Sequence, residues 1–133
     1  MSRESPGEWY SYAVIRIVPQ VEREEFVNAG VVLFAPASGE LKCRVRLDAS
    51  RLQALAAGID LGLVKRHLDT FESICRGGAE GGPIAELPVS ERFHWLTAPR
   101  STVIQVSPVH EGWATDLDAA LERLFARYVG NLS

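Results

Sequence analysis

Apolar residues recur along this chain in two rhythms, a period of two and a period of three to four, and the switches between them predict its elements. The first rhythm opens with WYSYAVIRIV, Trp9 to Val18, rich in aromatic and β-branched residues and closed by Pro19, a composition that favours a strand. Alternation puts Tyr10, Tyr12, Val14 and Val18 with Arg16 on one side and Trp9, Ala13, Ile15 and Ile17 on the other. Both faces are apolar, which predicts a central strand. Glu22 to Asn28 reads as a turn or two of helix ending at Gly30, a residue free to take a positive φ. Val31 to Phe34, wholly apolar and stopped by Pro36, is expected to pair beside the first strand. In ELKCRVRL, Leu41, Cys43, Val45 and Leu47 face the core while Lys42, Arg44 and Arg46 face out, as a solvated face in the commoner reading or else as an anion or partner surface, so the second and third strands read as a hairpin.

From Asp48 the period lengthens. Asp48 or Ser50 caps a short helix through Leu52 and Leu55, ended by Gly58. Asp60 caps a longer one in which Leu61, Val64, Leu68, Phe71 and Cys75 make one apolar stripe, stopped by Gly77 and Gly78. RGGAEGGP lacks the GK[ST] ending and the preceding strand of a phosphate-binding loop and reads as a flexible connection. In the stretch Glu91 to Gly112, Pro99 and Pro108 bracket an apolar run, and since proline has no N–H for a sheet ladder the strand is placed at Arg100 to Ser107. Thr115 or Asp116 then caps a last helix striped by Leu117, Leu121, Leu124, Phe125, Tyr128 and Val129, with Gly130 at its C-terminal cap. Strands mixed irregularly with helices predict an α+β fold: a single domain over residues 9–133 after a leader at 1–8, with a mostly antiparallel sheet of about four strands and helices packed largely on one face.

The length of 133 residues and 47% hydrophobic content fit one core. A net charge of −3 argues against a general nucleic-acid binder. No apolar leader or membrane-length run is visible, so a cytoplasmic protein is expected. Cys43 and Cys75 are distant in sequence and read as inert core thiols. The dispersed His67, His94 and His110 suggest no metal site, and no cofactor is expected.

The polar residues that invite a role are few. Arg16, on a strand apolar on both faces, needs a carboxylate or a route to solvent, or else binds a ligand. Arg100 follows Pro99 at a strand end and either pairs internally with an acid such as Glu25 or Asp48 or faces a ligand or partner. Trp95 and Trp113 lie near this arginine, and ordinary core packing is the expectation for both.

The motifs YAVIRIVPQVEREEFVNAGVVLFAP and ERFHWLTAPRSTVIQVSPVH resemble, in that order and across nearly the whole chain, a bacterial family known as domain of unknown function 3037. The positions that match the family's most distinctive runs are Arg100, Ser101, Thr102, Gln105, Ser107 and His110, with Asn28 and Gly30 in the first motif. The resemblance implies no activity or cofactor. It does imply an expectation that such proteins are encoded beside kinase-like partners of the toxin–antitoxin type.

Two functions are compatible with these residues. The first is a non-enzymatic interaction or accessory module, supported by the lack of a nucleophile elbow, metal cluster, nucleotide loop or spaced acidic pair. The second is a small enzyme or anion-binding domain that uses Arg100 as a planar fork, Ser101 as a hydroxyl donor and His110 as a proton acceptor. Convergence of those three on one concave pocket would favour the second reading.

Overall fold

A computed structural model describes residues 6–100 and 102–130. Its centre is β1 (Glu8–Ile17), which pairs antiparallel with β2 (Val27–Ala35) on one side. On its other side lie β4 (Ile104–Val106) and β5 (His110–Ala114), while β3 (Glu40–Val45) forms the far edge beyond β2. The fold is α+β with an antiparallel sheet of five strands in one domain. The expected leader lies mostly outside the described residues, and Glu8 already belongs to β1.

The helices start where side chains can accept orphan backbone N–H groups. Asp48 accepts from Arg51 to open α1 (Ala49–Leu55), Asp60 from Leu63 to open α2 (Leu61–Arg76), and Asp116 from Ala119 to open α4 (Leu117–Tyr128). The stripe of α2 buries Val64, Leu68, Phe71 and Cys75 as its period predicts, and Ile74 with them. Together with α1 and with α3 (Val89–Thr97), α2 covers the sheet face that carries Ala13, Ile15, Ile17, Val32 and Phe34. The last helix covers the opposite face, packing Leu117, Leu121 and Leu124 on Tyr10, Tyr12, Val31 and Leu33.

That second layer overturns the solvated reading of the basic face on β3. Lys42 pairs with Glu40 and with Asp118 of α4, each at 3.0 Å. Arg44 pairs with Glu122 and lies over the Phe125 ring at 4.3 Å. Arg46 donates to the carbonyls of Val129 and Gly130 at 3.1 and 3.2 Å. A guanidinium there satisfies acceptors that the helix cannot and complements the negative end of its dipole. The sheet is therefore covered on both faces, with three of the four α-helices among the described residues on one of them.

Four further expectations are corrected. The helix expected at Glu22 to Asn28 is only a 3-10 turn at Val21–Arg23, reversed at Glu24 with a φ of 55°. The chain is already in β2 by Val27, where Ala29 is an extra residue opposite the Ile15–Arg16 step. Such a bulge resets the alternation, so Val27 and Ala29 face α2 while Asn28 turns toward α4. Gly30 lies within this strand and needs no positive φ; a Cβ there would sit 2.4 Å from the Arg44 carbonyl oxygen.

The glycine segment after α2 is not a loose connection. It forms 3-10 turns at Ala79–Gly81 and Ile84–Glu86, closed by a 3.1 Å hydrogen bond from Gly78 N–H to the Ala85 carbonyl. The strand placed at Arg100 to Ser107 shrinks to Ile104–Val106, and Val89–Thr97 upstream form α3. Arg92 of α3 donates to the Ile74, Cys75 and Leu87 carbonyls at 2.8–3.0 Å, tying α3 to the end of α2.

Candidate functional site

β4 and β5 lie along the same side of β1 and almost form one strand. The register slips by one residue between them, so that Ser107, Pro108 and Val109 face only Ala13 and Val14. Ser107 makes this slip tolerable. Its N–H donates to the Val14 carbonyl at 2.8 Å, and its side-chain oxygen, in place of its own carbonyl, accepts the Val14 N–H at 2.8 Å. Buried and doubly used, Ser107 holds the edge strand in place.

Near the β4 end of this edge, the chain leaving α3 rises opposite the strand and a cleft of ≈ 300 Å³ forms between them. Thr97, Pro99 and Arg100 line one side and Gln105 to Val109 the other. The Arg100 guanidinium stacks over the Trp95 ring at 4.3 Å and donates to the Trp95 carbonyl. Burial pulls its pKa below the usual arginine value. The internal ion pair expected for it is not made: Glu25 binds Arg23 at 2.8 Å, and Asp48 is occupied at the start of α1. No acid pairs with Arg100 among the described residues. The aromatic support of Trp95 depends on α3, which the sequence reading does not include.

The other candidate residues divide between the two sides of the sheet. Thr102 donates to the Ile104 carbonyl at 2.8 Å and Gln105 donates back to the Thr102 carbonyl at 3.1 Å, so both brace the entry to β4. Arg16 sits between Asn28 and Gln105 across the sheet, with its guanidinium 4.2 Å over the Phe26 ring and a buried Nε that lacks a hydrogen-bond partner. Asn28 donates to the Tyr128 carbonyl at 2.9 Å. His110 is exposed on β5 with its ring 5.5 Å from that of Tyr12, and it does not line the Arg100 cleft. Ser101 lies outside the described residues.

At the β5 end two tryptophans lie on the surface. Trp9 and Trp113 are cross-strand partners with ring centroids 5.3 Å apart in a T-shaped arrangement, and they remain 63% and 52% exposed. The Trp113 indole lies against Gly7, where a Cβ would be 2.5 Å from the ring. Trp95 on α3 and Val109 at the slip between β4 and β5 are exposed as well. Core packing of Trp95 and Trp113 is thereby overturned: α3 turns Trp95 outward, and among the described residues no helix covers the start of β1 on that side. Sequence alternation assigns Trp9 to an apolar face correctly but cannot show where the helical layer stops.

A second cleft, of ≈ 320 Å³, opens beside β3 and is lined by Lys42, Glu72, Arg76 and Asp118 with both cysteines. Though distant in sequence, Cys43 and Cys75 meet there. The adjoining Cys75 thiol, then burial, pushes the Cys43 thiol well above its usual range, so it is held as a weak nucleophile. No group of three metal-ligating side chains converges among the described residues, and no helix there is long and apolar enough to cross a membrane.

A family model described as "Protein of unknown function (DUF3037)" matches residues 12–129. No curated protein and no solved structure matches the chain.

Proposed function

The chain belongs to the DUF3037 family of proteins of unknown function, and from that footing we propose that it is a non-enzymatic interaction module, a cytoplasmic accessory subunit of another bacterial protein. One observation carries this reading: the ordered Trp9–Trp113 pair, more than half exposed on both members beside an edge strand. Burying such area from water is favourable at roughly 25 cal/mol per Å², and tryptophan is enriched among the residues that dominate protein interfaces. Held by Gly7 and by each other, the rings lose little freedom on binding.

The enzymatic alternative has less support. Its arginine and histidine do not share a cleft, and Thr102, Gln105 and Ser107 between them are engaged in holding backbone. A kinase-like protein of the toxin–antitoxin type, implied by the family resemblance, is the partner class to seek first.

The test is photo-crosslinking in the native host with a benzophenone amino acid in place of Trp113, and separately in place of the exposed Gln53 on α1. The reading expects one stoichiometric protein adduct from position 113 and none from position 53. Identical adducts from both positions, or none from 113, would overturn it.

A further inference from the structure

We propose that the outer edge of β4 takes up an extended, acidic segment of a partner protein by strand addition, with the Arg100 guanidinium receiving a carboxylate of that segment. This rests on the interaction-module reading and adds a binding mode and a chemistry to it.

The phase of the ladder shows which backbone groups are free. Val18 N–H donates to the Val103 carbonyl at 2.7 Å and Ser107 N–H to the Val14 carbonyl at 2.8 Å. Residues 103, 105 and 107 thus turn their peptide groups toward β1, and by alternation Ile104 and Val106 turn theirs outward. Thr102 already satisfies the Ile104 carbonyl. Among the described residues no strand pairs with the outer side of β4, which leaves the N–H and C=O of Val106 directed to the cleft side.

Edges of this kind invite pairing and are usually blunted. Here Pro108 blocks one end and Thr102 the other, so the opening admits a short stretch of strand rather than a second sheet. The cleft along it has the size of a small ligand site, at the low end of a range of roughly 300–1,000 Å³. Its charge selects the occupant. Arg100 stands on the facing wall, fixed on Trp95 and without an acid of its own among the described residues. A partly desolvated guanidinium that keeps free N–H donors favours a carboxylate, which it can bind through two parallel hydrogen bonds. Backbone pairing at Val106 would supply the geometry and Arg100 the preference for an acid, the division of labour that strand-addition sites use.

The probe is a short peptide of alternating threonine and valine with a central glutamate, followed by amide shifts in a two-dimensional nitrogen–proton NMR titration. Twin peptides carry a central lysine or N-methylated backbone positions. The proposal expects saturable shifts centred on Val106 and its neighbours, affinity weaker by roughly tenfold or more for the lysine twin, and loss of binding for the N-methylated twin. Val106→Pro removes the outward N–H together with part of the contact that Val106 makes with the core; with wild-type amide dispersion as the check that it folds, it should lose the peptide, and Arg100→Ala should bind glutamate and lysine peptides alike. Absence of saturable binding, equal affinity of the wild type for the two charged peptides, or full binding of the N-methylated peptide would overturn the proposal. A partner captured at position 113 alongside a failed titration would remove strand addition alone; a successful titration with no adduct at 113 would instead remove the tryptophan surface.

Discussion

Ser107 and Val14 are joined across the edge of the sheet by two hydrogen bonds of 2.8 Å, one of them made by the serine side chain where a carbonyl belongs. The serine hydroxyl in turn donates to the Pro108 carbonyl at 2.9 Å. Ser107→Ala leaves the Val14 N–H buried without a partner, a loss of about 1–3 kcal/mol. Denaturant unfolding should show that drop, and a change below about 0.5 kcal/mol would mean that the slip between β4 and β5 closes without the side chain.

A second prediction concerns the close approach of β2 to β3. The Cβ of a Gly30→Ala variant would lie 2.4 Å from the Arg44 carbonyl oxygen and 2.9 Å from the Val45 side chain. Backbone on one side cannot rotate away, so overpacking should cost about 1–3 kcal/mol or more. A variant with the wild-type midpoint would contradict the β2–β3 register.

Much of this architecture was legible because most elements obey one period from end to end. β1, α2 and α4 show their apolar faces directly, and Asp60 and Asp116 mark the starts of α2 and α4. The reading failed where two rules competed. The extra residue at Ala29 breaks the alternation of β2, so Val27 and Asn28 resembled a helix end. The spacing of Val89, Phe93 and Leu96 was the signal for α3, but Pro99 and Pro108 drew attention to the strand between them. Of the candidate site, the polar residues of the 100–110 segment stand out in the sequence, while the separation of Arg100 from His110 could not be read there, because it depends on which side of an edge strand each occupies. The meeting of Cys43 with Cys75 depends on how α2 crosses β3, which no local pattern encodes.

Tyr12 links the sheet to α4 and should report on it by titration. Burial, then the 3.3 Å hydrogen bond with Tyr128, pushes its hydroxyl from the ordinary 10.0 up to about 12. Between those values the folded chain holds a proton that the unfolded chain has released. The stabilisation is therefore complete below pH 10 and is lost as pH rises through about 12. Ultraviolet titration should show one tyrosine ionising about two pH units late, and Tyr128→Phe should bring it closer to the ordinary value. Ionisation of all the tyrosines near 10 would contradict the packing of Tyr12 under α4.

Cys43 should be slow to alkylate. The adjoining Cys75 thiol and burial keep the Cys43 thiol protonated near neutral pH, and only the thiolate attacks. Iodoacetamide at mildly alkaline pH should modify it at least about tenfold faster in denaturant than in the folded protein. Equal rates would show that the thiol is neither covered nor engaged by Cys75.

The claim that the Trp9–Trp113 pair is a binding surface separates stability from association. Both rings are more than half exposed, so Trp9→Ser with Trp113→Ser removes little that the fold depends on. The direct measurement is partner retention by this double variant, quantified beside its denaturation midpoint. The account predicts stability within about 1 kcal/mol of wild type together with loss of the partner crosslinked at position 113. A variant that unfolds several kcal/mol more easily while the wild-type amount of partner still copurifies in its folded fraction would contradict it, and would make the two tryptophans part of the structure rather than its contact surface.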